Sequence, residues 1–243
     1  MKPLVQIYEN YTAEDFMVWQ TLVNRQMSML NTSASVTYLQ ALEVIGFSPT
    51  KIPNFVEMNE RLAQITGWYI LTVPELCPAS QFFKHLADKK FTATCWLRKM
   101  SQLDYLEEPD MFHDVFGHAP LLTNTEYCTF FKQLGELAVK HADNADILDE
   151  IERLYWFTIE FGLVNEDGEM KIYGSGIISS KEETMNALSA ASVKTPFSLE
   201  RVLNHTFRTD TIQPEYFVID SFAQLAETIP ALEKSIAQRF VVS

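Results

Sequence analysis

The sequence predicts a single α+β domain, mainly α-helical with a few short strands, and three observations carry that expectation. Apolar residues make up 47% of the 243 positions, enough to bury one sizeable core. The first half alternates apolar stripes at helical spacing with Gly and Pro punctuation, whereas the final third turns strand-like. No repeat, low-complexity tract or flexible linker divides the chain.

Thr12 and Asp15 form a capping box ahead of a stripe at Phe16, Trp19, Val23 and Met27. A second helix spans about 35–45 and stops at Gly46. A third starts at Asn54 after Pro53, with Glu57 completing another capping box, and stops at Gly67. The apolar run 68–73 reads as a strand or an irregular buried segment. Pro74 and Pro78 bracket a loop, and Ser80 caps a short helix through His85. Residues 91–96, rich in Thr and aromatics, read as a strand. Pro109 sits at the first turn of a helix carrying His113.

Two longer helices follow at 125–141 and 146–161. After a turn at 165–168, residues 170–173 read as a strand and Gly174–Gly176 as a break. Further strands are expected at 206–212 and 216–219, before an amphipathic C-terminal helix containing Pro230.

The formal charge of −13 argues against a nucleic-acid partner and against adsorption to an anionic membrane, both of which call for a basic face. Cys77, Cys95 and Cys128 are odd in number and contain no Cys-x-x-Cys pair. They fit reduced thiols and suggest neither a disulfide framework nor a thiolate zinc site. The N-terminus lacks the apolar stretch of a signal peptide, and no run approaches the roughly 20 apolar residues of a membrane span. The cytoplasm is the expected location.

His113 and His118 lie five apart in HDVFGH, followed by Pro120. On an ideal helix such a pair diverges by about 140°. Convergence requires a bend, for which Gly117 and Pro120 provide. On spacing alone, helix-end histidines and metal ligands are equally good readings. Glu160 lies in YWFTIEFG at 155–162, an apolar setting in which a carboxylate needs a partner or a metal. Trp156 and Glu160, spaced i, i+4, share a helical face. A buried ion pair or an acid of raised pKa is the alternative. Two imidazoles and one carboxylate are the ligand set of a mononuclear non-haem Fe(II) oxygenase, which leaves open positions for dioxygen and co-substrate.

Four segments carry a resemblance: LDYLEEPDMFHDVFGH at 103–118, YWFTIEFG at 155–162, YGSGIISS at 173–180 and YFVIDSF at 216–222. Together they resemble, in order, the pterin-dependent aromatic amino acid hydroxylases, over about residues 60–225. The resemblance implies that family's catalytic-domain fold, a single domain over 1–243 without regulatory domain or tetramerisation helix, and Fe(II), a tetrahydropterin and O2. It implies His113, His118 and Glu160 as metal ligands. It assigns Arg98 to the substrate carboxylate, and Pro109, Trp156, Phe161, Gly176 and Ser179 to the substrate pocket, where Gly176 lets backbone approach the ligand. On the pterin side it implies Leu76, Cys77, Phe82, Asp114 and Tyr155, with Phe82 as the stacking ring. Asp114 is either an orienting partner of a ligand imidazole or a ligand itself.

Two departures stand out. Glu75 occupies a loop position where relatives commonly carry glycine, and Leu106 replaces a hydroxyl residue of animal members. Trp156 resembles the phenylalanine and tyrosine enzymes rather than the tryptophan enzymes, and neutral Thr209 stands where tyrosine enzymes carry an acid. L-phenylalanine, hydroxylated to tyrosine, is therefore the expected substrate, with a monomeric chain and pterin-recycling enzymes as possible partners. The alternatives are tryptophan or tyrosine hydroxylation, or a non-catalytic metal-binding protein. A 2-oxoglutarate oxygenase would instead carry His-x-Asp/Glu…His on a β-barrel.

Overall fold

A capping box opens the first long helix: the Thr12 side chain accepts from the Asp15 N–H, and the Asp15 carboxylate accepts from the Thr12 N–H. The computed structural model describes residues 2–104 and 106–241, so Tyr105 of the first motif lies outside the described residues. Helix α1 (Ala13–Ser33) buries Val18, Trp19, Leu22, Val23, Gln26 and Leu30, while Phe16 and Met27 stay half-buried at the stripe's edges. Helices α2 (Val36–Val44) and α3 (Phe55–Ile65) follow, and the chain leaves them through Gly46 and Gly67, both at positive φ. Asn54 caps α3 alone. Glu57 does not complete the expected box, because its carboxylate pairs with Lys51.

Strand β1 (Tyr69–Thr72) lies within the ambiguous apolar run and pairs in parallel with β2 (Lys90–Ala93), Ile70 opposite Phe91. The strand expected through residue 96 ends at Ala93, after which Thr94 turns its backbone N–H to Asp114. Helix α4 (Ala79–Ala87) joins the two strands. It starts after Pro78, with Ser80 inside it rather than capping it. Pro109 precedes the next helix, whose N-cap is Met111, instead of occupying its first turn.

Two segments expected to be α-helical are wider. Phe112–His118 is a π-helix, and Trp156–Glu160 is another that continues directly from α6 (Ala145–Tyr155). Pro120 has no N–H to offer the Phe116 carbonyl four residues back, and the buried Tyr38 hydroxyl donates to it instead, at 2.8 Å. In the second segment the Thr158 hydroxyl takes the Leu154 carbonyl at 2.5 Å, and the Phe161 N–H reaches back five residues to Trp156.

Helix α5 (Thr125–Lys140) packs against the C-terminal α10 (Phe222–Val241), with Tyr127 edge-on to Phe222. The final third forms a sheet ordered β4-β3-β6-β5 from β3 (Leu163–Glu166), β4 (Glu169–Ile172), β5 (Val193–Pro196) and β6 (Glu215–Ile219). Strand β4 is antiparallel to β3, and β6 runs parallel to both β3 and β5. The expected break at Gly174–Gly176 is instead the start of a helical turn, α7 (Ser175–Ser179), followed by α8 (Lys181–Leu188) and α9 (Leu199–Leu203). Residues 206–212 form a loop, not a strand. Among the described residues no helix is long and apolar enough to cross a membrane.

Candidate active site

In an i→i+5 hydrogen-bonded turn, the residue five positions on stands over its predecessor. That register brings His113 and His118 together, with no bend at Gly117 or Pro120 required. Their Nε2 atoms lie 3.2 Å apart. The same register stacks Glu160 on Tyr155, whose hydroxyl donates to Oε1 at 2.9 Å. The neighbour of the carboxylate is thus the phenol at i−5 rather than the indole at i−4, although Trp156 also borders the cleft.

Glu160 Oε1 lies 3.2 Å from His118 Nε2, and Oε2 lies 3.7 Å from His113 Nε2. Ligand atoms about 2 Å from a common metal stand about 3 Å apart on one face of its coordination sphere. The three side chains therefore fit a facial metal site, and among the described residues they are the one such His/Cys/Asp/Glu group. Burial opposes charge on Glu160, but the His118 and His113 imidazoles and the Tyr155 hydroxyl hold its pKa down at about 2. The Ser175 hydroxyl donates to Oε2 at 2.9 Å, again favouring the ionised form. Burial lowers the His113 pKa, which leaves the ring neutral with a lone pair to offer. Burial and the nearby Glu160 raise the Tyr155 pKa well above 10, so the phenol remains a donor.

The cluster borders a cleft of about 1050 Å³ lined by every residue named as a candidate from the sequence. Arg98 and Asp110 are both buried beside it. The guanidinium donates to Asp110 through Nε at 2.9 Å and Nη2 at 2.8 Å, so its remaining N–H groups are those free to meet a carboxylate. Ser179 donates to or accepts from His113 Nδ1 at 2.8 Å, and so bears on the imidazole as well as on the cleft. Trp156 packs between Phe161 at 4.7 Å and Phe207 at 4.9 Å, ring centroid to ring centroid. Phe82 meets Tyr155 edge-on at 5.4 Å. Leu76, 66% exposed, and half-buried Cys77 form the outer lip.

One expectation needs correction. Asp114 neither joins the cluster nor orients an imidazole: its Oδ2 accepts from the Thr94 N–H at 2.7 Å and the Thr94 hydroxyl at 2.9 Å, which ties the first π-helix to the end of β2. Gly176 lines the cleft and has a second role, in packing against the protein itself. A Cβ there would stand 3.0 Å from the Glu160 carbonyl oxygen and 2.8 Å from Phe161 Cζ, so its absence lets α7 press against the second π-helix.

The family profile of the biopterin-dependent aromatic amino acid hydroxylases matches residues 2–243, well beyond the motif-bearing stretch 60–225. The chain belongs to this family. Phenylalanine-4-hydroxylase of Ralstonia nicotianae is 45% identical over 90% of this chain and 70% of its own length. The Chromobacterium violaceum enzyme of the same name is also 45% identical, over 91% of this chain and 75% of its own. A crystal structure of the latter with iron(III) and 7,8-dihydrobiopterin superposes with a TM-score of 0.89 at 43% identity, covering 98% of this chain and 86% of that one.

Within this hydroxylase fold, sequence reasoning missed several groups around the site. Ser175, Asp110, Phe91 and Gln213 all touch a candidate residue, Phe91 packing on the His118 ring with centroids 4.7 Å apart. The acid following Pro109 and the serine inside the Gly-Ser-Gly turn were the available signals for two of them. Nothing local marks Phe91 or Gln213.

Proposed function

We propose that the chain is an iron- and tetrahydropterin-dependent monooxygenase that hydroxylates L-phenylalanine to L-tyrosine with dioxygen. The observation that carries this reading is the convergence of two imidazole nitrogens and an ionised carboxylate at a cleft that also holds a buried arginine and an aromatic wall. Iron bound by His113, His118 and Glu160, together with the pterin as electron donor, supplies the activation of dioxygen.

The protein's own groups bind and orient. Arg98, kept in one pose by Asp110, presents free N–H groups to the amino acid carboxylate, which suits a guanidinium fork. Trp156, Phe161 and Pro109 form an apolar slot for the phenyl ring, with Gly176 and Ser179 beside it. Phe82 offers a stacking face to the pterin next to Leu76, Cys77, Asp114 and Tyr155. Tyr155 and Ser175 hold the Glu160 carboxylate in place.

We further propose one catalytic unit acting as a cytoplasmic monomer, with L-phenylalanine and a pterin-recycling reductase as its partners. The bulk acidity, −13 overall, supports a small-molecule enzyme over a nucleic-acid binder. The test is product analysis with phenylalanine, tyrosine and tryptophan in turn, with Fe(II) and tetrahydropterin supplied. Tyrosine formed from phenylalanine, and lost when either addition is omitted, is the expected result. A metal-loaded protein inert toward all three amino acids would overturn the reading.

A further inference from the structure

Trp156 is fixed in its plane as well as on its faces. Phe161 and Phe207 pack against the ring, while the indole Nε1–H donates to Gln213 Oε1 at 3.1 Å. Gln213 is only 2% exposed and each of its polar groups has a partner. Its backbone N–H donates to Glu183 Oε1 at 2.8 Å, and its carbonyl accepts from Asn186 Nδ2 at 2.8 Å. Its side-chain Nε2 donates to the Arg208 carbonyl at 2.9 Å and the Thr211 carbonyl at 3.0 Å.

The orientation of this amide follows from its partners. An indole N–H can only donate and the two carbonyls can only accept, so turning the amide over would break all three bonds. Glu183 is itself 6% exposed and takes a second hydrogen bond from the Tyr216 hydroxyl of β6. Gln213 thus fastens the loop 206–212 to α8 and β6, and through one further bond fixes the edge of the indole.

We infer that Gln213 is a positioning residue that sets the width of the aromatic slot and so favours a single-ring substrate over an indole. The inference rests on the cleft being that of an aromatic amino acid hydroxylase. Without the amide oxygen, the indole keeps Phe207 stacked and Phe161 tilted against it but loses the hydrogen bond that fixes its edge. An indole free to turn no longer holds the slot at one width, and a slot of fixed width is what discriminates against a fused second ring. Gln213 acts through Trp156, and nothing in its bonding requires contact with the reacting atoms.

The experiment compares kcat/KM for phenylalanine and tryptophan in the unaltered enzyme, Gln213→Met, Trp156→Phe and the double variant, each loaded with Fe(II) and supplied with tetrahydropterin. A net hydrogen bond corresponds to a change of about threefold to tenfold. The phenylalanine-to-tryptophan ratio is expected to fall by that factor in Gln213→Met. It should fall no further when Gln213→Met is added to Trp156→Phe. General loosening of the fold would lower both substrates alike and leave the ratio in place.

A second measurement needs neither iron nor a folded Gln213 variant. The indole N–H resonance of Trp156, identified by its loss in Trp156→Phe, should be protected from solvent exchange in the unaltered chain. An indole exchanging like a free one overturns the inference, as does a folded Gln213→Met enzyme with an unaltered ratio. No product from any aromatic amino acid with the unaltered chain overturns the functional reading first and this inference with it.

Discussion

The π-helix Phe112–His118 contributes two imidazoles to the cluster and the π-helix Trp156–Glu160 one carboxylate, but the two are steadied differently. Both Glu160 oxygens accept hydroxyl hydrogen bonds, Oε1 from Tyr155 and Oε2 from Ser175, whose one proton is shared with the Ile159 carbonyl. The imidazoles have less. His113 Nδ1 meets Ser179, and His118 Nδ1 is buried with no hydrogen-bond partner among the described residues. The first π-helix is held instead as an element: Asp110, paired with Arg98, accepts from the His113 backbone N–H at 3.4 Å, and the Asp114 carboxylate accepts from the Thr94 N–H and hydroxyl. A carboxylate, with four lone-pair sites on two atoms, is oriented by side-chain donors; an imidazole, a rigid ring, is oriented largely by where its backbone stands.

Glu160→Gln tests the carboxylate side most severely. The amide is nearly isosteric but neutral, so iron affinity should fall by about 100-fold or more, measured as metal retained after dialysis. Undiminished iron content and activity would remove Glu160 from the ligand set and erase the contrast. Arg98→Ala addresses the backbone-held side. It strands the fully buried Asp110 without its cation, which should cost about 3–5 kcal/mol in denaturant unfolding, and the KM for phenylalanine should rise strongly. An unchanged KM with lowered stability would leave Arg98 as an anchor of the first π-helix only.

Tyr155→Phe should have the smallest effect, about 1 kcal/mol, and it carries a pH signature. The Glu160 pKa in the fold, about 2, lies below its ordinary value of 4.5. Its ionised form therefore stabilises the fold above the ordinary carboxylate range, and that contribution fades as pH falls from about 4.5 toward 2. Loss of the phenol raises the folded pKa, so acid unfolding of the metal-free protein, followed by near-ultraviolet circular dichroism, should begin at higher pH. Coincident acid transitions would mean that the imidazoles alone hold the carboxylate ionised.

Much of the helical half was legible because its signals are local. The Thr12–Asp15 box, the Asn54 cap and the exits at Gly46 and Gly67 are written within four residues of the features they control. The π-helices were not, since a reading at 3.6 residues per turn assumes the register that Pro120 and Thr158 disrupt. The run 206–212, with three threonines, a Phe and an Ile, has strand composition, but its Arg208 and Thr211 carbonyls are taken by Gln213. Strand β5, with a lysine and a terminal proline, lacked strand composition and exists through its pairing with β6 about 20 residues away. The ligand types and the apolar setting of Glu160 could be read directly. The groups that orient them could not, because Ser175 and Gln213 reach their partners from 15 and 57 positions away.

The wide turns also bear on transplanting this chemistry. A designer who copied His113, His118 and Glu160 onto a regular helical bundle at the same spacing would find the two imidazoles about 140° apart, aimed at different neighbours. The transferable unit is larger: the imidazole pair with Pro120 and the Tyr38 hydroxyl that fills in for its missing N–H, and the carboxylate with Thr158. Alternatively the histidines can be respaced to four apart, which trades the native turn for one that any α-helical scaffold already provides.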